Sequence, residues 1–422
     1  MKIMVIGGGG REHAIIRALR KNRDVETVYA LPGNAGMEDT VCVNVAATDL
    51  EGVVAFTREH RVDLAVVTPD DPLVLGMVDL LEAEGIPCFG PRRNAAILEG
   101  SKVFAKTFMK RWNIPTAAWE VFGDAEAAKD YVQRADLPLV IKADGLALGK
   151  GVIIAKTREE ALEAVDRIMV QKVFGKSGER VIVEEFLEGP EVTLLTLTDG
   201  ESLVPLLSSM DHKRAGDGDT GLNTGGMGCI APNPFYTPQV HRRCMEEICL
   251  PTIRGMAAEG RPFRGCLYFG LMLTEKGPKV IEYNCRFGDP EAQTILPLME
   301  TDLLQAMLAV TQNRLGEEDI RFSSDSSCCV ILASAGYPGK YEKGREITVP
   351  GDLLEHVYMA GVAREKGKLV TSGGRVMGVL GRGASLSEAV HQAYARVDRI
   401  EFENRQYRRD IGQRALAVTG GK

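Results

Sequence analysis

The sequence predicts an α/β protein, with α+β lobes included, whose first piece is built on a parallel sheet. Three observations carry this. Short apolar runs alternate with helical periodicity from residue 1 to about 100. From about 115 to 190 the pattern changes to strands set around dense glycine. A last alternation of strand, turn and helix begins at about residue 326.

In the first piece the runs at 2–6, 25–31, 63–67 and 86–89 read as buried strands, with helices at 11–21, 50–60 and 72–84. This βαβ rhythm places helices on both faces of a parallel sheet. Pro91 and Gly100-Ser101 punctuate its end, and Ser101 suits the N-cap of a helix at 102–112. Strands at 139–143, 151–155 and 180–185 then surround a helix at 158–171. Further strands are expected at 192–198, 202–207, 265–274 and 278–284, with a long helix around 238–259. The polar, glycine-rich stretch Asp211–Gly228 reads as a long irregular segment, which in a compact domain is usually functional. The last piece holds strands at 328–333 and near 376–380 and a helix at 386–398. The divisions are therefore 1–100, 101–190 with a small lobe at about 120–190, 191–325 and 326–422.

A chain of 422 residues is too long for one simple core. Its net charge of -7 offers no basic field, so nucleic acid is not an expected partner. Apolar runs such as Leu64-Ala65-Val66-Val67 fall far short of the roughly 20 residues that span a bilayer, so no membrane partner is expected either. The start runs from Met1 to Ile6 straight into glycines and reads as a first strand rather than a leader. Nine scattered cysteines without a CxxC pair read as free thiols, and the expected location is cytoplasmic.

Several motifs can carry chemistry. In Gly7-Gly8-Gly9-Gly10-Arg11-Glu12-His13 a strand ends in glycines and a helix follows, which suits a phosphate at the helix N-terminus. The third glycine of the dinucleotide fingerprint is absent, which speaks against a nicotinamide cofactor. Pro32-Gly33-Asn34-Ala35-Gly36 and Thr68-Pro69-Asp70-Asp71-Pro72 follow later strands at the same sheet edge. Each alone is compatible with an ordinary turn. Ile141-Lys142-Ala143-Asp144-Gly145 leads through Gly149-Lys150-Gly151 into a second strand, a flexible loop able to cover nucleotide phosphates. It is not a Walker loop, because no Ser or Thr follows Lys150 and no helix follows the loop. Glu184-Glu185-Phe186-Leu187 and Glu191 form a connector that suits an adenine edge and ribose hydroxyls, or a plain acidic turn. On the strand ending Glu282-Tyr283-Asn284, alternation puts a carboxylate and an amide oxygen on one face, a donor pair suited to Mg²⁺. Arg286 follows and suits a transferring phosphoryl group. Asp211-His212-Lys213-Arg214 and Asn223-Thr224-Gly225-Gly226-Met227-Gly228 join charge to flexible backbone and suit a small zwitterion or a solvated loop.

Together with Leu98-Glu99-Gly100-Ser101-Lys102 and Asn284-Cys285-Arg286-Phe287-Gly288-Asp289-Pro290-Glu291, these motifs in this order resemble the phosphoribosylamine–glycine ligase family of ATP-grasp enzymes over essentially the whole chain. The resemblance implies an N-terminal α/β domain, an ATP-grasp core of two lobes and a small C-terminal α/β domain. It implies a carbon–nitrogen ligase that uses ATP with Mg²⁺ or Mn²⁺ to join glycine to 5-phosphoribosylamine through a glycyl phosphate. By position, Glu282 and Asn284 would hold the metal, while Lys102, Lys142, Gly145, Gly149, Lys150, Gly151, Glu184, Glu185, Phe186, Leu187 and Glu191 would meet ATP. Gly9, Gly10, Arg11, Glu12, Gly33, Asn34, Asp70, Asp211, Lys213, Asn223 and Gly225 would border the other substrates, with Arg286 and Asp211 nearest the chemistry. A monomer is the expected state. Thr68 to Pro72 departs from the family's usual Gly-Pro-Glu-Ala-Pro, so the shorter Asp70 must reach further.

Overall fold

The computed structural model describes residues 1–38, 40–146 and 151–420. The first piece is a five-stranded parallel sheet in the order Val41–Cys42, Thr27–Pro32, Lys2–Gly7, Leu64–Val67, Cys88–Phe89. The central runs Ile3–Ile6 and Leu64–Val67 are buried on both faces, as an unbroken apolar strand requires. Helices Gly10–Leu19 and Leu50–His60 cover the sheet, the second capped by Asp49 accepting from Gly52 N. The helix expected at 72–84 is two, Asp70–Leu75 and Met77–Ala83, broken where Gly76 takes φ +98.

The small lobe is a four-stranded antiparallel sheet in the order Trp119–Phe122, Val181–Glu185, Leu139–Ala143, Val152–Ala155. Helices Ala125–Arg134 and Arg158–Val165 back it, the latter continuing as a π-helical turn over Asp166–Val170. The first of these and its strand Trp119–Phe122 escape the sequence reading; the strand is short, and the helix buries only Ala128 and Val132.

The large sheet orders Gly277–Asn284, Gly265–Thr274, Glu191–Thr198, Leu203–Asp211, Gly228–Ala231, Ser326–Ser334, Arg375–Gly383 and Val357–Met359. It runs through the division expected at 325/326, since Gly228–Ala231 pairs with Ser326–Ser334. The stretch expected to be irregular after Asp211 contains a hairpin, Arg214–Gly216 with Thr220–Asn223. Buried Arg408 fastens this hairpin through Asp219 and Asp410, both at 2.8 Å.

The N-terminal piece docks on the C-terminal one around the backbone of Met359. Met359 N donates to His13 Nδ1 at 2.9 Å, and Met359 O accepts from Asn34 Nδ2 at 3.0 Å. Arg17 adds bonds to the carbonyls of Leu354 and Glu355. His13 must be neutral to accept, and burial, helped by Arg17, lowers its pKa from 6.5 to about 3.

Two outcomes follow from this packing. Helix Leu386–Val397 lies directly on Gly381, where a Cβ would come within 2.0 Å of Ala389 O and 2.4 Å of Ala393 N. Gly381→Ala should therefore cost on the order of 1–3 kcal/mol, read as a lowered urea midpoint. A base whose folded pKa is depressed contributes full stability above its unfolded pKa. That stability is lost as pH falls from about 6.5 through about 3. His13→Gln, which keeps an acceptor but cannot charge, should narrow the gap between urea midpoints at pH 7.5 and pH 5.5. An unchanged gap would refute the neutral-acceptor role.

Candidate active site

The cleft lies between the small lobe and the strand Gly277–Asn284. Lys142 on the strand Leu139–Ala143 reaches across, donating to Ile281 O at 3.2 Å. Its ammonium lies 2.9 Å from Glu184 Oε1, while Lys106 Nζ lies 2.9 Å from Glu184 Oε2. All three side chains are buried, so one carboxylate balances two ammonium groups away from water. Burial takes Lys106 down to about 8 against the pull of Glu184. The sequence reading missed Lys106; its place one turn beyond Lys102 on helix Lys102–Arg111 was the available signal. Ser101 caps that helix as expected, and its hydroxyl also donates to Asp144 Oδ1 at 3.0 Å.

Lys102 donates to Gly145 O at 2.6 Å, and its pKa is lowered by burial. Gly151 O closes the loop's far end by accepting from Ala143 N at 2.9 Å. Gly149 and Lys150 lie outside the described residues. Phe186 and Leu187 are half-buried at the exit of the strand Val181–Glu185, while Glu185 pairs with Lys279 at 2.7 Å.

Glu282 and Asn284 share a face, and Tyr283 between them is buried on the other. Burial pushes the Glu282 carboxyl up, but Lys213, Lys142 and Lys102 prevail and hold it at about 2. Lys213 Nζ stands 3.3 Å from both Glu282 and Glu191. The donor set is one carboxylate and one amide oxygen, with no thiol or imidazole. That fits a hard cation that completes its shell with phosphate and water. No group of three or more His, Cys, Asp or Glu able to hold a metal occurs among the described residues.

The strand ends at Asn284, yet Arg286 turns back to it, donating from NH2 to Asn284 Oδ1 at 3.3 Å and pairing with Glu99 at 3.3 Å. Glu99 also accepts from Cys285 N at 2.6 Å; burial raises its pKa to about 7 against the pull of Arg286. Arg286 Nε is buried with no partner among the described residues. So is Asp211 Oδ1, whose carboxyl is pushed up by burial and by neighbouring Glu291.

The three loops of the N-terminal sheet edge do come together. Gly33 N donates to Gly7 O at 3.1 Å, and Thr68 Oγ1 donates to Glu12 at 2.7 Å. Glu12 is fully buried, accepting also from Gly9 N at 2.5 Å, so it shapes the glycine turn from inside. Asn34 likewise spends its amide on Gly8 O, Gly36 N and Met359 O. Arg11 pairs with Glu12 and reaches Phe287 O at 3.3 Å, tying this edge to the turn after Asn284. Asp70 starts its helix half-buried and acts electrostatically on Glu99 and Arg286. Asn223 sits in the hairpin opposite Arg214. Gly225 O accepts from Arg375 at 2.6 Å, and the same Arg375 donates to Asp289 O at 2.6 Å. Arg375 had no sequence signal, because it lies in a piece read only for its fold.

A small antiparallel lobe supplying lysines above a large sheet supplying a carboxylate and an amide defines an ATP-grasp enzyme. Residues 1–99, 100–292 and 327–414 match the N domain, the ATP-grasp (A) domain and the C domain of phosphoribosylglycinamide synthetase. The chain belongs to the phosphoribosylglycinamide synthetase family. It is similar to a phosphoribosylamine–glycine ligase of Vibrio vulnificus, 48% identical over 99% of each chain, and to one of Pasteurella multocida, 46% identical over 99% of each. A solved phosphoribosylamine–glycine ligase of Thermotoga maritima superposes with a TM-score of 0.87 at 36% identity, covering 97% of this chain and 100% of that one. A biotin carboxylase of Campylobacter jejuni shares the fold alone, with a TM-score of 0.73 at 13% identity over 96% of this chain and 92% of that one. The protein is thus an enzyme of ATP-dependent ligation in purine biosynthesis. No helix among the described residues is long and apolar enough to cross a membrane.

Glu184→Gln leaves two buried ammonium groups without a counter-charge and should cost on the order of 3–5 kcal/mol in urea unfolding. Adding Lys106→Met should recover part of that loss. No recovery would mean that Lys106 does not share the charge of Glu184.

Proposed function

We propose that this chain joins glycine to 5-phosphoribosylamine with ATP, through a glycyl phosphate, giving glycinamide ribonucleotide, ADP and phosphate. The observation that carries this reading is the turn Arg286–Asp289. It meets the metal-facing strand at Asn284, the N-terminal glycine turn through Arg11, and the Gly225 segment through Arg375. Nucleotide phosphates, a phosphorylated amine and a small amino acid therefore have one place to meet.

In this reading Lys102, Lys142, Gly145, Gly149, Lys150 and Gly151 hold the phosphates, and Glu184 to Leu187 with Glu191 hold the nucleoside. Glu282 and Asn284 would hold Mg²⁺ or Mn²⁺, which when bound neutralises charge on the phosphates. A glycine carboxylate oxygen attacks the γ-phosphorus and ADP leaves. The amine of phosphoribosylamine then attacks the glycyl carbonyl carbon, phosphate leaves, and the amine gives up a proton. Arg286 stabilises the transferring phosphoryl group. Asp211, with Lys213, Asn223 and Gly225, orients the small substrates. Gly9, Gly10, Arg11, Gly33 and Asp70 border the phosphoribosyl group, and Glu12 and Asn34 hold that border in shape. The work of the protein is alignment and exclusion of water from the acyl phosphate.

Eight cysteines are buried free thiols, which suits a reducing cytoplasm. The division at about 100, 190 and 325 is kept as a functional one.

The test is ADP release with Mg²⁺, ATP, glycine and phosphoribosylamine generated in the assay, each omitted in turn. ADP should require both substrates and fall at least about 100-fold in Glu282→Ala. ADP release from folded protein that is indifferent to glycine and phosphoribosylamine would sink the assignment.

A further inference from the structure

We infer that Glu99 is the positioning residue that aims Arg286 and fixes the exit of the metal-facing strand; this rests on the role given above to Arg286. Glu99 lies in the last turn of the helix Arg93–Gly100. A carboxylate there opposes the helix dipole, and this one is buried as well. Local propensity therefore argues against glutamate, and what keeps it must come from across the chain.

Both of its oxygens are used on the turn after Asn284. Oε2 accepts from Cys285 N at 2.6 Å, and Oε1 lies 3.3 Å from Arg286 NH2. That NH2 is shared with Asn284 Oδ1 at 3.3 Å, while NH1 donates to Phe287 O at 3.2 Å. The two terminal nitrogens are thereby held by the protein from opposite sides. Nε, buried and without a partner among the described residues, is a donor left over for a ligand. Without the Glu99 charge, NH2 keeps only a neutral amide acceptor. The guanidinium then loses the anchor that sets its plane. Planar, fixed donors are what make arginine effective at a phosphoryl group.

Glu99→Gln separates the two tasks. The amide oxygen can still accept from Cys285 N, but the charge facing Arg286 is gone. The expected result is a kcat lowered about tenfold or more, with KM for ATP and for glycine within about threefold and a near-unchanged thermal midpoint. Arg286→Ala should lower kcat at least as much. The double variant Glu99→Gln with Arg286→Ala should match Arg286→Ala alone, because Glu99 then has nothing left to aim. If Glu99→Gln retains full kcat, or if the two losses multiply, the positioning role is overturned while Arg286 keeps its own. Full activity in Arg286→Ala would overturn both. Should Glu99→Gln fail to fold, Glu99→Asp tests the same point. It keeps the charge but withdraws it, and its loss should likewise vanish in the Arg286→Ala background.

Discussion

Buried charge must be balanced at hydrogen-bond distance, and this constraint organises the active site. A nucleotide triphosphate needs cations within reach, and those cations must survive partial burial when no nucleotide is near. The solution is to share counter-charges. Glu184 lies between Lys106 and Lys142, and Lys213 lies between Glu191 and Glu282. Glu184, Lys106 and Lys142 lie on three different elements, while Lys213 lies in the loop between Leu203–Asp211 and Arg214–Gly216. The charges therefore hold the small lobe against the helix Lys102–Arg111 and tie the Lys213 loop to the strands Glu191–Thr198 and Gly277–Asn284. What makes the site electrostatically tolerable also fixes its walls.

The same economy governs how the N-terminal piece is mounted. Its glycine turn must stay open for a ligand, so its own contacts are made from below and behind. Glu12 fills the underside, accepting from Gly9 N and Thr68 Oγ1. His13 and Asn34 then grip the two polar backbone atoms of Met359. Thr68 stands where the family usually has glycine, and its hydroxyl makes the bond to Glu12 that glycine cannot make.

Much of this was legible in the residues. The N-terminal strands were readable because they are buried on both faces, and Ser101 because a cap has a local signature. Glu282 and Asn284 were readable because alternation on a strand fixes which side chains share a face. Three kinds of feature were hidden. The hydrophobic helix Leu303–Thr311 has no polar face to give a period. The joining of Gly228–Ala231 to Ser326–Ser334 pairs residues nearly a hundred positions apart, which no local pattern encodes. Glu99, Lys106 and Arg375 act only through residues far along the chain, so their types alone could not separate a site role from a solvated charge.

The polar atoms that the protein leaves unsatisfied carry the last step. Arg286 Nε, Asp211 Oδ1 and Gln293 Oε1 are buried and lack partners among the described residues. Each costs about 1–3 kcal/mol in such a place. Their neighbours show that partners were available in principle: Gln293 uses its amide nitrogen on Asp289 at 2.6 Å, and Arg286 uses both terminal nitrogens. For Arg286 and Gln293 the fold thus satisfies part of the side chain and leaves one atom over. In the proposed reading, one donor and two acceptors have the polarity that a ligase joining a carboxylate to an amine requires. In that reading the cost falls in the free enzyme and is relieved by substrate.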